Sequence, residues 1–491
     1  MPKWSIRMNT ITIIGAGLGG LTSGALLAQD GYKITLLEQH NIVGGCATTF
    51  KRKGGFTCEV GLHEMDGVFT NPQIKRIFDE LDVYNNVEFV KPDEFFSVVT
   101  KNSTFIMPDN VQEAQNKLTK KFPNEEKGIE KYFQLIGNTS KELETLQSAS
   151  WYHYLLFPLL FSNILRYKNK TVTEVLDNII ENDELKLILN ANVQYYNDTP
   201  DTLSFLLHSV AQYSYYSGGG WFIKGGSQKL SDYLAKVIRD NGGEIITKAN
   251  VIECNSNHVT YLRKKEKITI NTDAIISNLS PIQTYKLFQK EYKETKEIAD
   301  SLLTIYIGFN KNLKEVYGKK AYSNFIFNEI DSVNGYNTML KKDITKRGFV
   351  FVDYSQVDSG LTKDSNKSFG VICLSDFIEE WQDLSEDDYK IKKQNLIDET
   401  LSKLEMYYPN IKELVEYTEV GTAKTVNRYI KTPNGTAYGY KPTPKQFFKI
   451  PKVRSAKINN LYFVGQWVIA GGFSPAISSG GMCYDVISKR G

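Results

Sequence analysis

The residues from Thr10 to Glu38, TITIIGAGLGGLTSGALLAQDGYKITLLE, decide the fold. A continuous β-rich run from Thr10 to Ile14 predicts a strand that is buried on both faces, as in a parallel sheet. A glycine turn follows, then a helical pattern from Leu21 to Gln29, and then a second apolar strand from Lys33 to Leu37. This order of strand, turn, helix and strand predicts a βαβ unit at the start of an α/β fold.

The glycines of the turn have the spacing that a bound dinucleotide requires. Gly15 permits the tight turn, Gly17 lets the backbone approach a pyrophosphate, and Gly20 lets the helix pack closely on the strand. The free N–H groups and the dipole at the helix N-terminus favour the phosphates. Glu38 ends the second strand, where its carboxylate can accept hydrogen bonds from ribose hydroxyls. The loop alone leaves NAD and FAD open as the ligand.

Further glycine turns follow within the next 25 residues or so. The first contains Gly44, Gly45 and Cys46, and the second contains Gly61, Leu62 and His63. Adjacent glycines at these places let the backbone run along an extended ligand, beyond the end of an NAD half-site. These turns therefore favour FAD.

These motifs resemble the flavin-binding segment of the phytoene desaturase, carotenoid isomerase and all-trans-retinol saturase family. Within it, Glu38-Gln39-His40, Gly44-Gly45-Cys46 and Gly61-Leu62-His63 are most similar to the saturase–isomerase branch. Further matches in the middle and at the C-terminus extend the resemblance over nearly the whole chain. The resemblance implies a Rossmann-type FAD-binding domain (glutathione-reductase-like, flavin amine oxidase superfamily) in an α/β fold, interleaved with a mixed α+β substrate domain.

The C-terminal match is a strand that ends at Gly465, a loop that begins with Gln466, and a final helix. Ser474 is expected to cap that helix, because proline follows it at the first helical position. In the family this turn contacts the ribityl chain and ring of the flavin, and many members have an acid where Gln466 stands. The mid-chain match implies that the backbone of Val251 meets the adenine.

The resemblance thus implies a set of FAD contacts and a division into domains. The predicted contacts are Gly15, Gly17, Gly20, Glu38, Gln39, Gly44, Gly45, Cys46, Gly61, Leu62, Val251, Gly465, Gln466, Phe473, Ser474 and Ala476. The FAD-binding domain is predicted to comprise 9–69, 217–300 and 440–491, and the substrate domain 70–216 and 301–439. Within the substrate domain we expect helices at Glu174–Leu189 and Tyr389–Met406 and a strand at Leu302–Phe309.

His63, with Glu64 as its helper, is the candidate for a catalytic proton transfer. In the family layout the turn before it passes near the reactive face of the flavin, where a histidine could protonate substrate carbon. The alternative is that His63 only caps the turn or hydrogen-bonds to backbone. Cys46 needs no thiol chemistry, since a small residue beside Gly45 is a sufficient explanation.

The implied activity is FAD-dependent oxidation or reduction at carbon–carbon double bonds of a lipophilic polyene, such as a carotenoid, retinoid or other prenyl lipid. Saturation, desaturation and cis–trans isomerisation share one flavin geometry, so the direction stays open. The alternatives are a flavin-dependent amine oxidase and a flavin-bearing lipid-binding scaffold without activity. Only one dinucleotide loop is found, so the electron donor or acceptor is unidentified.

Composition narrows the partners and the compartment. The chain has 491 residues, with 59 Lys and Arg against 56 Asp and Glu, and such a balance argues against a nucleic-acid partner. Its 5 cysteines are scattered and form no C-x-x-C, which is typical of reduced thiols in a cytosol-facing protein. The 5 histidines show no metal-ligand spacing, so no metal site is expected.

One stretch, 151–167, predicts contact with a membrane surface. It begins with aromatic residues, continues with aliphatic ones, and ends beside Arg166, Lys168 and Lys170. A buried helix or pocket wall is the alternative interpretation. We expect a cytoplasmic protein peripherally associated with the membrane, and we expect many of its 29 tyrosines and 26 phenylalanines to line an apolar substrate channel.

Overall fold

A computed structural model of the chain describes residues 9–147, 156–196, 199–327, 329–449 and 451–488. The first part of the predicted membrane stretch, 151–155, lies outside these described residues. The strands are β1 Thr10–Ile14, β2 Lys33–Leu37, β3 Thr49–Lys51, β4 Thr57–Glu59, β5 Met65–Asp66, β6 Phe89–Val90, β7 Phe96–Val99, β8 Thr104–Met107, β9 Gly220–Ile223, β10 Glu244–Ile246, β11 Asn250–Cys254, β12 His258–Arg263, β13 Glu266–Asn271, β14 Ala274–Ser277, β15 Ser301–Phe309, β16 Ser323–Ile326, β17 Phe349–Asp353, β18 Ser368–Asp376, β19 Val415–Gly421 and β20 Leu461–Phe463.

The α-helices alternate with these strands and cover the larger sheets. They are α1 Leu18–Gln29, α2 Pro72–Glu80, α3 Val111–Lys121, α4 Glu126–Gln147, α5 Phe157–Leu160, α6 Ser162–Tyr167, α7 Val172–Leu176, α8 Asp183–Asn190, α9 Phe205–Gly218, α10 Gln228–Asp240, α11 Pro281–Leu287, α12 Leu313–Tyr317, α13 Val333–Met339, α14 Glu386–Glu405, α15 Ala423–Ile430 and α16 Phe473–Ser488.

A five-stranded parallel sheet organises the two ends and the middle of the chain. Its order is β10-β2-β1-β14-β20, and each neighbouring pair is parallel. Both the buried strand β1 and the helix α1 form as the opening stretch predicts, and almost every residue of α1 is buried. Because the chain leaves β1 towards β2 on one side and pairs with β14 on the other, the switch point of the sheet lies at the carboxyl end of β1.

The second large sheet has seven strands, in the order β19-β15-β18-β17-β16-β7-β8. It is antiparallel except where β16 pairs with β7. The predicted strand at 302–309 is confirmed as β15, and the predicted helix at 389–406 is confirmed as α14, which buries Leu396, Leu401 and Leu404. The sheet thereby receives strands from two distant stretches of chain.

Two helix predictions differ from the structure. The helix expected at 174–189 is two short helices, α7 and α8, because Asn182 caps a new helix by accepting the N–H of Leu185. The final helix begins at Phe473, one residue before its expected cap. The Ser474 hydroxyl instead donates to the carbonyl of Asp66 at 2.8 Å, so this serine connects the helix to a distant segment.

Candidate active site

Three loops meet at the carboxyl edge of the five-stranded sheet. Gly15 follows β1 with a positive φ of 95°, which favours glycine, and its N–H donates to the carbonyl of Leu37. Asn278 follows β14 and Gly465 follows β20. Gly17 precedes α1, whose N-terminus has no side-chain cap. This edge therefore presents a helix N-terminus to whatever lies between the loops.

Asn278 lies at the centre of these loops and was missed by the sequence analysis. A Cβ atom added at Gly17 would lie 2.4 Å from its Nδ2 atom, and one added at Gly465 would lie 2.3 Å from its Oδ1 atom. That Oδ1 atom is buried and has no hydrogen-bond partner among the described residues. A buried unpaired amide oxygen beside an uncapped helix N-terminus fits a polar ligand that would complete both. Glycines on either side leave room for it.

Glu38 directly follows β2, and its carboxylate hydrogen-bonds to the backbone of the glycine turn. One carboxylate oxygen accepts the N–H of Ala16 and the other accepts the N–H of His40, both at 2.8 Å. Each oxygen retains a lone pair, so acceptance from a ribose hydroxyl stays a prediction. Gln39 donates to the carbonyl of Tyr429 at 3.1 Å.

An open cleft of about 450 Å³ lies beside Gln39. It is lined by Gln39, His40, Asn250, Arg428, Tyr429 and Lys431. Val251 follows Asn250 on β11 and is half-buried. The end of α15 thus contributes cations to the region where the adenosine contacts are predicted, a contribution that no local sequence motif showed.

The second glycine turn packs directly on the first. The Gly44 N–H donates to the carbonyl of Ala16 at 2.8 Å, and a Cβ atom on Gly45 would lie 3.4 Å from the Cα atom of Gly17. Burial raises the pKa of the Cys46 thiol to about 11, so this cysteine is a neutral thiol at physiological pH. A small neutral side chain here agrees with the expectation that Cys46 needs no thiol chemistry.

The segment 59–66 joins this turn to the C-terminal helix. A Cβ atom on Gly61 would lie 2.7 Å from the carbonyl oxygen of Cys46, and the Asp66 carbonyl accepts the Ser474 hydroxyl. Glu59 is buried and accepts the N–H groups of Gly61 and Leu62 at 3.2 and 3.0 Å. His63 and Glu64 are therefore fixed between predicted cofactor contacts of both chain ends.

The chain is similar to known proteins, both in its N-terminal part and over nearly its whole length. Residues 13–81 match the model of an NAD(P)-binding Rossmann-like domain. An all-trans-retinol 13,14-reductase of Danio rerio is 26% identical, and the alignment covers 97% of this chain and 86% of the relative. A chloroplastic prolycopene isomerase of Daucus carota is 29% identical (94% and 78% covered), and a 4,4'-diaponeurosporene oxygenase of Staphylococcus aureus is 25% identical (98% and 98% covered).

The chain is similar to members of the phytoene desaturase, carotenoid isomerase and retinol saturase family over nearly its whole length. The named relatives align with it from end to end, so the resemblance seen in the sequence motifs is confirmed. By their names, these relatives are a reductase, an isomerase and an oxygenase.

Solved structures agree on the fold. A cyclohexylamine oxidase from Brevibacterium oxydans has a TM-score of 0.63 at 14% identity, and covers 98% of this chain and 99% of its own. A putrescine oxidase has a TM-score of 0.65 at 14% identity with the same coverage. At this identity the likeness concerns the fold alone, and it confirms the predicted α/β architecture.

His63 and Glu64 keep some accessible surface although they lie deep in the protein. Burial lowers the pKa of the His63 imidazole to about 4 and raises the pKa of the Glu64 carboxyl to about 8. The His63 ring packs edge-on against Tyr195, with ring centroids 5.8 Å apart.

The expected alternative role for His63, a hydrogen bond from its side chain to backbone, is not seen among the described residues. Its own carbonyl instead accepts the hydroxyl of Tyr322 at 2.8 Å, and the carbonyl of Leu62 accepts the hydroxyl of Tyr354 at 2.8 Å. The sequence analysis assigned no role to Glu59, Tyr195 or Tyr322. No local sequence pattern marks these three residues. Tyr195 and Tyr322 contact segments more than 100 residues away, and Glu59 binds the adjacent turn.

The C-terminal contacts occupy the far side of the same region. Gln466 is half-buried, and its side-chain amide has no hydrogen-bond partner among the described residues. Phe473 and Ala476 are half-buried in the first turn of α16, while Ser474 is buried. Gly439 comes so close to the Gln466 backbone that a Cβ atom there would lie 2.5 Å from its carbonyl oxygen.

The surface at α5 and α6 exposes leucines. Leu159 is 78% exposed, and Leu156, Leu160 and Leu165 are also exposed, whereas Phe157 packs inward on Phe161. Arg166, Lys168 and Lys170 follow on the surface. Within the described ranges, no helix combines the length and apolarity needed to cross a bilayer.

Proposed function

We propose that this protein binds FAD and uses it to saturate, desaturate or isomerise carbon–carbon double bonds of a lipophilic polyene. The observation that carries the proposal is the position of His63 and Glu64, held between the Gly44–Cys46 turn and the C-terminal helix. The relatives bear names of enzymes for retinoid and carotenoid substrates, which favours polyenes over amines.

FAD would be held by the predicted contacts listed above, with Asn278 added to them. The unpaired Asn278 oxygen, the uncapped N-terminus of α1 and the crowded glycines Gly17 and Gly465 support this assignment. When bound, a flavin supplies or accepts a hydride at the substrate carbon. In this proposal the FAD-binding domain comprises 9–69, 217–300 and 440–491, and the substrate domain 70–216 and 301–439.

Flavin retention after purification tests the cofactor assignment. Gly465→Ala places a methyl group against Asn278 at a residue with a φ of 84°, so we expect loss of bound flavin. Gly421→Ala is the matched control, because its added Cβ would meet only ordinary contacts at 3.6 Å or more. Equal flavin content in the two variants would contradict the assignment.

The chain's own residues supply the proton chemistry. At neutral pH the depressed pKa of His63 leaves a neutral imidazole, and the raised pKa of Glu64 keeps a proton on its carboxyl group. A buried acid of this kind can protonate a substrate carbon, and the surrounding tyrosines exclude water from it.

The test of the activity is anaerobic incubation of the reduced protein with retinoids, carotenoids and extracts of host lipids, followed by mass spectrometry. A gain or loss of two hydrogens, or a retention shift at constant mass, identifies saturation, desaturation or isomerisation. His63→Gln should keep flavin and slow turnover. Hydrogen peroxide released with polyamines, and no change in any polyene, would establish the amine oxidase alternative.

We further propose that the exposed leucines of α5 and α6 dip into the interface of a membrane, with Arg166, Lys168 and Lys170 at the anionic headgroups. The electron donor or acceptor is not identified. Changing Leu156, Leu159 and Leu160 to Ser should abolish flotation with anionic vesicles. The control changes exposed Ile391 and Met406 on α14 to Ser, and it should float as the unchanged protein does.

A further inference from the structure

We propose that Ser323 and Tyr195 form a hydroxyl relay that carries a proton from the Glu64 carboxyl group to the space beside His63. We also propose that Glu64 recovers its proton by way of Asp109, which lines the same narrow cleft and is partly exposed. This inference rests on the proposed function, because it names the proton path of the same site.

The relay consists of two consecutive hydrogen bonds. Ser323 Oγ lies 3.3 Å from Glu64 Oε1, and Tyr195 Oη lies 2.6 Å from Ser323 Oγ. Tyr195 then meets the His63 ring edge-on. Since hydroxyl hydrogens rotate, each of these bonds can run in either direction.

The far oxygen of Glu64 faces the other way. Glu64 Oε2 is buried and has no hydrogen-bond partner among the described residues. It lies over Gly220, where a Cβ atom would come within 2.3 Å of it. A cleft lined by Glu64, Pro92, Glu94, Phe95, Asp109 and Gly220 begins at this oxygen. The cleft is too narrow to hold a water molecule, so this oxygen exchanges its proton through the groups that line the cleft.

The outer end of the cleft is charged and accessible. Asp109 pairs with Lys91 at 2.5 Å, and both side chains are partly exposed. Asp109 therefore joins the buried carboxyl group to the surface.

The groups around Glu64 act on its protonation in opposite senses. Burial raises the pKa of Glu64, the hydrogen bond from Ser323 lowers it, and the negative charge of Asp109 raises it. The other titratable or polar groups that face this region are His63, Glu94, Tyr195 and Tyr322. A protonated carboxyl group at one end of two hydroxyls is a proton donor that needs no rearrangement of the backbone.

In saturation the π bond breaks and two C–H bonds form. One carbon would take a hydride, which bound reduced flavin would supply, and its neighbour takes a proton from the relay. Glu64 gives its proton to Ser323 Oγ, the serine hydrogen passes to Tyr195 Oη, and the tyrosine hydrogen passes to the carbon. Glu64 remains as a carboxylate, and a proton taken up from solvent at the partly exposed Asp109 restores it.

The first test needs no turnover. The infrared C=O stretch of a protonated carboxyl group, titrated from pH 5 to 10, should disappear near pH 8 and be absent in Glu64→Gln. Ser323→Ala removes a bond that favours the ionised form and should move the transition upward. Asp109→Asn removes a repelling charge and should move it downward. Ser209→Ala, which loses only a hydrogen bond within α9, is the control and should leave it unchanged.

The second test measures single-turnover reduction of a polyene by the reduced protein. Tyr195→Phe and Ser323→Ala should each slow the step by about 100-fold with flavin still bound, since general acid catalysis contributes roughly 10²–10⁴. Tyr216→Phe, a buried tyrosine on α9 outside the relay, is the control.

The outcomes separate the relay from the function on which it rests. If the unchanged protein alters no polyene, the proposed function fails, whereas the infrared titration still reports on Glu64 and its neighbours. If the unchanged protein is active and both relay variants match Tyr216→Phe, the relay is wrong. Titrations of Ser323→Ala and Asp109→Asn that coincide with the control overturn it as well.

Discussion

Two buried glutamates stand five residues apart, on either side of the Gly61-Leu62 turn, and they are bonded in opposite ways. Glu59 accepts four hydrogen bonds, from the N–H groups of Gly61, Leu62 and Ser227 and from the Ser227 hydroxyl. Glu64 accepts one, from Ser323 at 3.3 Å, and leaves its other oxygen unpaired.

The difference separates a structural carboxyl group from a chemical one. Every lone pair that Glu59 uses holds backbone or a hydroxyl in place, so its bonds position the turn. Glu64 accepts a single hydrogen bond. A buried carboxyl group with so few partners lowers stability, and such a cost is typical of groups that take part in chemistry. The contrast predicts that one residue matters for folding and the other for turnover.

The largest effect is expected at Glu59. Glu59→Ala leaves buried donors of two N–H groups and of Ser227 without an acceptor, so the free energy of unfolding should fall by at least about 3 kcal/mol. Glu59→Gln retains one acceptor oxygen and should lose less. Urea denaturation measures both. Glu64→Ala should lose far less stability than Glu59→Ala, and equal losses at the two positions would remove the contrast.

The second effect is a pH dependence at Glu64. Burial raises its pKa in the folded protein from the ordinary value of 4.5 to about 8. Below pH 4.5 the carboxyl group is protonated in both the folded and the unfolded state, so its ionisation does not reduce the free energy of unfolding. As the pH rises to 8 the unfolded state ionises first, so this contribution to stability is progressively lost, on the order of a few kcal/mol.

Glu64→Gln has no such group to ionise. Its free energy of unfolding should therefore exceed that of the unchanged protein by a margin that grows between pH 5 and pH 8 and then levels off. Denaturation at pH 5, 6.5 and 8.5 measures this margin, with exposed Glu113→Gln as the control. A margin that does not vary with pH would show that Glu64 is ionised in the folded protein.

Much of the fold follows from local patterns in the sequence. β1, α1 and β2 are predictable because apolar periodicity and glycine spacing act within 30 residues or so. The same holds for Gly465 at the end of β20 and for the long amphipathic helix α14. Ser474 shows the limit: its sequence context indicates a cap, yet its hydroxyl bonds to Asp66, more than 400 residues earlier.

The site was predictable only where glycines mark it. His63 and Glu64 could be singled out because they follow a glycine turn. Asn278, Ser323, Tyr195 and Tyr322 carry no local mark, since each acquires its role when the two sheets bring distant segments together. The role of such polar residues can be recognised only in the folded structure, where their buried atoms either have or lack hydrogen-bond partners.

The smallest effect is expected at the two tyrosines that hold the turn between the glutamates. Tyr354→Phe frees the carbonyl of Leu62 on the side of Glu59, and Tyr322→Phe frees the carbonyl of His63 on the side of Glu64. Each variant should lose about 1 kcal/mol of unfolding free energy, the typical value of one hydrogen bond. Turnover should distinguish them, because Tyr322 binds the peptide between the two proposed catalytic residues, whereas Tyr354 binds the peptide before them. Equal turnover in the two variants, measured with flavin bound, would mean that both sides of the turn are structural and that the contrast between the glutamates does not extend to their surroundings.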